Sequence, residues 1–139
     1  MKTQGRPISA GRAEGKALVS RMGISFFGGV DPESGKVVER GHDLEGQSIA
    51  GKVLVFPTGK GSTVGSYTLY RLKKAGLAPA AIINAECETI IAVGCIIAEI
   101  PCVDQVEIAL LCSDQPVRVN GDQGVVEFLA DEREQWTIK

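Results

Sequence analysis

The amino-acid sequence predicts an α/β domain in which short strands give way to alternating strands and helices. Up to position 62, clusters of β-branched and aromatic residues are separated by turn-forming residues, a pattern typical of short strands. From position 63 the apolar residues recur at helical spacing instead. A buried-strand pattern and a second helical segment follow before position 99. Together these observations indicate a strand–helix–strand–helix unit.

Four short apolar runs in the first part of the sequence each predict a strand. Each is bounded by Gly, Asp, Pro or Ser, and they cover residues 17–19, 24–27, 37–38 and 53–56. Between the second and third runs, residues 28–35 are dense in turn formers. We therefore expect a loop there, held in place by the strands on either side.

Residues 63–76 predict the first helix. Ser62 stands where an N-cap is expected, three cations lie in the last turn, and Gly76 suits a left-handed C-terminal cap. The face predicted to be buried recurs at steps of four, four and three residues. Its members are Val64, Thr68, Leu72 and Ala75.

The second half of the sequence adds a strand, a helix and a hairpin. Residues 80–84 form a short apolar run that predicts a buried strand, and residues 88–98 have the length and apolar content of a helix. Near the end, Asn120 and Gly121 lie between the strand patterns at 117–119 and 125–128. An Asn-Gly pair in that position is a strong signal for a β-hairpin.

Length and composition predict one domain covering residues 1–139, with a charged C-terminal tail from about position 130. The formal net charge is −2 and like charges do not cluster, so a nucleic-acid partner is not expected. Neither a secretory signal nor an apolar stretch of membrane-spanning length is present in the sequence. We therefore predict a soluble cytoplasmic protein.

The four cysteines do not have the spacing of a metal site. Cys87, Cys95, Cys102 and Cys112 are separated by seven, six and nine residues, which lacks the close CxxC pairs of zinc and many iron–sulfur sites. We expect them to be free thiols that pack as small apolar residues. No metal is expected to bind to this chain alone.

The segment 56–63 is the strongest candidate for a functional site. A buried strand, a glycine loop and a helix start follow each other there, and such a turn presents backbone N–H groups to an anion. The segment differs from the P-loop GxxxxGK[ST], because Gly61 separates Lys60 from Ser62. Nucleotide hydrolysis is therefore not supported, and an ordinary helix cap remains the alternative role for Ser62.

No complete catalytic set is visible in the sequence. His42 is the only histidine and is expected to be an exposed loop residue. Most of the carboxylates at Asp31, Glu86, Glu88 and Asp104 are expected to be solvated turn residues. A glycine loop that presents one serine would form half of an active site, with the other half on another chain.

Three long segments, in order, carry a resemblance to a known family. They are residues 24–35 (ISFFGGVDPESG), 51–67 (GKVLVFPTGKGSTVGSY) and 78–84 (APAAIIN). With the sequence around them, from about residue 11 to 128, they resemble the small subunit of the aconitase X family. That resemblance implies a swivelling β/β/α domain like the C-terminal domain of aconitase.

The resemblance also implies a partner and a site. The partner is a large aconitase X subunit that holds an iron–sulfur cluster, in a heterodimer or a higher assembly. Ser62 corresponds to the serine that acts as the catalytic base in aconitase-like enzymes. Substrate binding is expected from Lys60, Gly61, Thr63 and Ser66. Aconitase has an arginine directly after its serine, whereas Thr63 and Val64 follow Ser62 here.

The activity implied is that of a hydro-lyase acting on a small phosphorylated or carboxylate substrate, with both subunits required. Archaeal members dehydrate (R)-5-phosphomevalonate to trans-anhydromevalonate 5-phosphate in a modified mevalonate pathway to isoprenoids. Bacterial members include cis-3-hydroxy-L-proline dehydratases. Lys60 and Tyr67, in GKGSTVGSY, resemble the archaeal type. A mobile, non-catalytic domain that binds a phosphate-bearing ligand is the alternative from another class.

Overall fold

The computed structural model describes residues 1–129, and the predicted charged tail from about position 130 lies outside this range. Within it, the strands are β1 Lys2–Gln4, β2 Arg6–Ser9, β3 Arg12–Val19, β4 Val53–Phe56, β5 Ala81–Asn84, β6 Cys102–Asp104, β7 Pro116–Asn120 and β8 Val125–Phe128. The helices are α1 Phe26–Gly29, α2 Gly65–Lys74 and α3 Thr89–Ala98, with a 3₁₀ turn at Ile108–Leu110. The predicted α/β class is confirmed. None of the helices in residues 1–129 has the length and apolarity needed to cross a bilayer.

The strands form one curled sheet in the order β1-β8-β7-β3-β4-β5-β6-β2. Its centre, β3 to β6, is parallel, and the flanking pairs are antiparallel. β1 and β2 are separated only by Gly5 but lie at opposite ends of this order, so the sheet curls until its ends meet. A Cβ at Gly5 would overlap the carbonyl oxygen of Asp104, which only glycine avoids.

Alternation along the strands divides the core between the two faces of the sheet. In β4, Leu54 and Phe56 belong to the cluster under the helices. Val53 and Val55 belong to a second cluster enclosed by the curled sheet, where they join residues of the β7–β8 hairpin. All four β4 side chains are buried, which explains why this strand has a continuous apolar run rather than an alternating one.

Helices α2 and α3 lie side by side on the outer face of the sheet. A Cβ at Gly94 would lie 2.6 Å from Leu69 Cδ1 and 3.1 Å from Ser66 Cα, so the glycine allows the helices to pack closely. The predicted C-terminal cap is confirmed, because Gly76 has φ +74° and the Leu77 N–H donates to the Leu72 carbonyl at 2.9 Å.

The predicted buried face of α2 is partly wrong. Thr68 and Leu72 are buried as expected, and Leu69 joins them. Val64 is 43% exposed and Ala75 is exposed. The helix begins at Gly65 and not directly after Ser62, so Val64 precedes the regular turns and is not held against the sheet.

Two of the predicted strands are also wrong, and three strands were missed. Residues 24–27 make one parallel bridge, from Ile24 to Gly59, and then turn into α1. Residues 37–38 make only the isolated bridge from Val37 to Val30. The missed strands are β1, β2 and β6. The first two are edge segments with mostly exposed side chains, and β6 has only three residues, so none shows a clear apolar pattern.

Candidate active site at the start of helix α2

The loop from Pro57 to Val64 joins the buried strand β4 to α2 and is fixed on both sides. On one side, the Pro57 carbonyl accepts the N–H groups of Ala85 and Glu86, each at 3.1 Å. On the other, the Ile24 N–H donates to the Thr58 carbonyl at 3.3 Å, and the Lys60 N–H donates to the Ile24 carbonyl at 3.0 Å. The glycine loop is therefore anchored by the chain segments on both sides of it.

Two glycines of this loop are required by close contacts. Gly59 is buried, and a Cβ there would overlap Ile91 Cγ1 and lie 2.6 Å from Glu88 Oε1. Gly61 has φ +93°, and a Cβ there would overlap the hydroxyl of Ser25. Gly59 thus packs against the start of α3, while Gly61 packs against the residue preceding α1.

Ser62 lies at the exposed tip of the loop. Its Oγ accepts the Val64 N–H at 3.2 Å, and its carbonyl accepts the Gly65 N–H at 2.9 Å. The predicted N-cap is wrong, because α2 begins at Gly65 and the N-cap position belongs to Val64. Within residues 1–129, the Ser62 hydroxyl proton has no acceptor.

The backbone around Ser62 presents open donors. Within the described range, the N–H groups of Gly61, Ser62 and Thr63 make no hydrogen bond, and all three residues are exposed. They directly precede a ten-residue helix whose N-terminal end carries partial positive charge. Three consecutive free donors at a helix start can bind an anion or stabilise a negatively charged oxygen.

The predicted substrate-binding residues fall into two groups. Lys60, Gly61 and Thr63 lie with Ser62 on the exposed loop. Ser66 is the second residue of α2 and is half-buried. Its hydroxyl donates to the Ile90 carbonyl at 2.6 Å. The Ser66 hydroxyl therefore joins α2 to α3, a contact that its sequence position did not indicate.

A second glycine segment lies beside the first. Gly28 has φ +85° within α1, and a Cβ at Gly65 would lie 3.8 Å from the backbone nitrogen of Phe27, so α1 packs against the start of α2. A cavity of about 310 Å³ opens between α1 and α2, with Phe27, Val38 and Arg71 among its lining residues.

Large apolar side chains are exposed around the loop. Phe27 is 54% exposed, Val38 51%, Val64 43% and Tyr67 61%. We call these four residues the apolar rim. Single exposed apolar residues are common on protein surfaces, but several around one polar site are typical of a surface that contacts another molecule.

Comparison with known proteins identifies the family. A family model for the aconitase X swivel domain matches residues 2–128. The chain belongs to the aconitase X swivel-domain family. The phosphomevalonate dehydratase small subunit of Thermococcus kodakarensis is 57% identical over 131 residues, covering 94% of this chain and 98% of the relative. The protein of the same name from Methanosarcina acetivorans is 58% identical over 132 residues, covering 93% and 92%.

Solved structures agree with this assignment. Aconitase X of Thermococcus kodakaraensis, in its holo form, matches with a TM-score of 0.92 at 56% identity, covering 94% of this chain and 99% of that chain. The solution NMR structure of a UPF0107 protein matches with a TM-score of 0.86 at 50% identity, covering 94% and 100%. The predicted aconitase X family and swivelling-domain fold are confirmed.

His42 takes a structural role in this swivel domain. It is 5% exposed, so the prediction of an exposed loop residue is wrong. Its Nδ1 accepts the Leu44 N–H at 3.1 Å, and Nε2 then donates to the Gly23 carbonyl at 3.0 Å. Both ring nitrogens are satisfied by backbone groups, which explains burial of a polar ring in a loop without apolar periodicity.

Two of the carboxylates expected to be solvated are also structural. Asp104 is fully buried and accepts two hydrogen bonds from Arg6, from Nε at 2.9 Å and from Nη2 at 2.8 Å. The Asp104 hydrogen bond raises the pKa of Arg6. Glu88 is the N-cap of α3, where its carboxylate accepts the N–H groups of Ile90 and Ile91. The prediction of solvated turn residues is therefore wrong for Asp104 and Glu88.

The cysteines of this swivel domain do not fit the ligands of an iron–sulfur cluster. All four are free thiols: Cys95 and Cys102 are buried, Cys87 is half-buried and Cys112 is exposed. A hydrogen bond with Cys102, together with burial, raises the pKa of Cys87. In the part of the chain that the structure describes, no three His, Cys, Asp or Glu residues are grouped as a metal site requires.

Proposed function

We propose that this chain is the small subunit of a phosphomevalonate dehydratase. It would act with a large subunit to remove water from (R)-5-phosphomevalonate, giving trans-anhydromevalonate 5-phosphate, with Ser62 as the base. The observation that carries the proposal is the open loop at Ser62, in a chain 50–58% identical to relatives that bear this name. This loop would provide the base and the anion-binding groups, and we assign the leaving-group acid and the rest of the site to the partner.

The chemistry assigned to Ser62 is removal of a proton from the carbon next to the substrate carboxylate. That C–H bond and the C–O bond of the neighbouring hydroxyl both break, and a C=C bond forms. The hydroxyl takes up a proton from an acid that we assign to the partner and leaves as water, and the proton removed by Ser62 balances that uptake over one turnover. A serine at the tip of an exposed loop can approach a substrate bound by another chain. The position of Ser62, three residues before Gly65 at the start of α2 and outside the helix itself, supports this role.

A serine hydroxyl is too weakly acidic to act as a base unless its anion is stabilised. The free N–H groups are those of Ser62 itself and of its two neighbours, Gly61 and Thr63. The N-terminal end of α2, which carries partial positive charge, follows them in the chain. Fixed donors of this kind stabilise a charged oxygen most effectively once water is excluded. The site would therefore gain its reactivity when the large subunit closes over the loop.

The substrate carries a carboxylate and a phosphate, so it needs cationic or N–H partners. Lys60 supplies an exposed ammonium next to the glycine loop, and Thr63 supplies an exposed hydroxyl. Ser66 can accept a hydrogen bond while it donates to the Ile90 carbonyl. We assign an anionic group of the substrate to Lys60, Gly61 and Thr63, and we place the iron–sulfur cluster on the large subunit.

The apolar rim supports a protein partner at this face. Phe27 and Val38 line the cavity between α1 and α2, while Val64 directly precedes α2 and Tyr67 lies in its first turn. Burial of this rim by the large subunit would favour association through the hydrophobic effect and would exclude water from Ser62. We therefore propose that the Gly28–Gly29 segment and the Gly59–Gly61 loop both face the large subunit.

The proposed function is tested by coexpressing this chain with the large subunit from the same genome. The purified complex is assayed with (R)-5-phosphomevalonate and, separately, with cis-3-hydroxy-L-proline, and each subunit is assayed alone. We expect turnover of phosphomevalonate by the complex only. Turnover of hydroxyproline alone would assign the other substrate, and phosphate-ligand binding without any turnover would favour a non-catalytic binding domain.

A further inference from the structure

We propose that Glu39 is a positioning residue that holds the Lys60 ammonium at the mouth of the glycine loop. The inference rests on the proposed function, because it assigns Lys60 to an anionic group of the substrate. The Lys60 Nζ lies 3.0 Å from Glu39 Oε2. Glu39 is 21 residues away in sequence and belongs to the segment that follows α1. The pair therefore joins the two glycine segments beside Ser62.

Glu39 is itself held in place by the backbone of the first glycine segment. The N–H groups of Val38 and Glu39 both donate to the Gly29 carbonyl, at 2.9 and 3.3 Å. A Cβ at Gly29 would lie 3.5 Å from Glu39 Oε1, so the carboxylate lies along the face of this glycine. These bonds fix the backbone that carries the carboxylate, so the carboxylate can orient a flexible partner.

The pair is too exposed to be explained by fold stability. The Lys60 side chain is 47% exposed and the Glu39 side chain 28%. Ion pairs in such surroundings contribute little, because water and salt screen them. The Lys60 backbone is already held by its hydrogen bond to the Ile24 carbonyl. The ion pair therefore orients the Lys60 ammonium, whereas the backbone hydrogen bond holds the loop in place.

Holding Lys60 would favour binding of an anion. A lysine side chain has four flexible bonds, and ordering it on binding weakens affinity. An ammonium has three N–H donors, and Glu39 occupies one of them. The other two remain for the substrate, and the ordering is completed before the substrate arrives. Removal of the carboxylate would restore the disorder and raise KM without a matching change in kcat.

The test compares Glu39→Ala and Glu39→Gln in the assembled complex. Pre-ordering of one lysine is worth about threefold to tenfold in affinity, so we expect Glu39→Ala to raise KM by that factor with kcat within twofold. Glu39→Gln keeps a hydrogen-bond acceptor and should recover most of the loss. In a Lys60→Ala background, Glu39→Ala should have no further effect on KM. Glu33→Ala, which removes an exposed carboxylate from the same segment, is the matched control and should leave KM unchanged.

A second measurement separates this proposal from the proposed function. The isolated chain is studied by NMR, where the order of the Lys60 side chain should fall in Glu39→Ala, and titration with inorganic phosphate should show weaker binding. If the complex does not dehydrate phosphomevalonate but these changes occur, the function fails and the positioning role stands. The positioning role is wrong if the Lys60 side chain is equally ordered in wild type and in Glu39→Ala. It is also wrong if Glu39→Ala raises KM by the same factor in the Lys60→Ala background as in wild type.

Discussion

Two connections in this domain lead from neighbouring parallel strands into neighbouring helices, and they begin those helices in opposite ways. After β5, the carboxylate of Glu88 accepts the N–H groups of Ile90 at 3.0 Å and Ile91 at 2.8 Å, which closes the start of α3. After β4, no side chain caps α2 at its N-cap residue, Val64, within the described range. Ser62 and its neighbouring N–H groups are left exposed instead.

Under the proposed function, this difference separates a structural helix start from one prepared for a ligand. The first four N–H groups of a helix have no partner within it, and in most proteins side chains or water satisfy them. At α3, Glu88 does so from within the domain. At α2, the loop itself satisfies the N–H groups of Val64, Gly65 and Ser66, and the free donors lie before them at residues 61–63. We propose that oxygen atoms of a substrate complete these free donors. We therefore propose that the open start is the functional one.

The largest effect is expected at the open start. Ser62→Ala should lower kcat of the assembled complex by about 10²–10⁴-fold, the usual value of a positioned proton transfer. Assembly and folding should be unchanged, because the hydroxyl makes only a 3.2 Å contact with the Val64 N–H. Steady-state kinetics with circular dichroism and gel filtration check this.

Ser62→Thr is the conservative control for that prediction, since it keeps the hydroxyl, and Ser66→Ala is the control one turn further on. Ser66→Ala removes the hydrogen bond to Ile90 and should cost about 1 kcal/mol of stability, with a smaller loss of rate than Ser62→Ala. Retention of more than about a tenth of wild-type kcat in Ser62→Ala, against that range, would contradict the base role.

The next effect is expected from association with the large subunit. Hydrogen exchange at Gly28, Gly29 and residues 59–63 should slow by at least about tenfold in the complex, because burial of exposed N–H groups protects them. The closed start should change less, since the N–H groups of residues 85–87 and those of Ile90 and Ile91 are already bonded. Equal exchange at the open start with and without the partner would exclude it from the interface.

Gly59 lies in the loop before α2 and packs against the start of α3, so its substitution should affect both helix starts. In Gly59→Ala, the new methyl group would lie within 2.6 Å of both Ile91 and Glu88. Overpacking of a buried position usually costs about 1–3 kcal/mol. We expect a lower melting temperature by calorimetry and a displaced loop with reduced turnover. Gly46→Ala is a control in open space, where a Cβ meets no atom within 4 Å and only the positive φ is strained.

The smallest effect is expected at the closed start. Glu88→Ala removes the cap of α3 and should lower the free energy of unfolding by about 0.5–2 kcal/mol, as measured by urea titration. Turnover of the folded complex should stay within a few-fold of wild type. Glu88→Gln, which keeps an acceptor oxygen, should lose less. A hundredfold loss of kcat in Glu88→Ala would show that the two starts do not differ in function as argued.

The sequence predicts the parts of this fold that have strong local signals. Strands β4 and β5, helices α2 and α3, and the hairpin of β7 and β8 all have long apolar runs or defined turn residues. The edge strands β1 and β2 lack such signals, because their mostly polar side chains face solvent and their pairing partners are about one hundred residues away. Such partners are set by tertiary packing and not by local sequence.

For the site, the sequence predicts the loop but neither the residue at which α2 begins nor the side-chain contacts that the loop makes. Residues 56–63 have the strand–glycine–helix order that marks an anion site, whereas the start of α2 at Gly65 depends on packing against α1 and Ile90. Glu39 was missed, because its partner Lys60 lies 21 residues away and nothing local links them. Burial of His42 and Asp104 was missed for the same reason, since their partners Gly23 and Arg6 are distant in sequence.

The central claim, that Ser62 moves the proton, is tested most directly by isotope exchange. The assembled complex is incubated with the dehydrated product in D₂O, and the substrate formed by the reverse reaction is analysed by mass spectrometry and NMR. We predict one deuterium on the carbon next to the carboxylate with wild type and Glu88→Ala, and no detectable incorporation with Ser62→Ala. Incorporation at the wild-type rate in Ser62→Ala would show that another group is the base and would contradict the account.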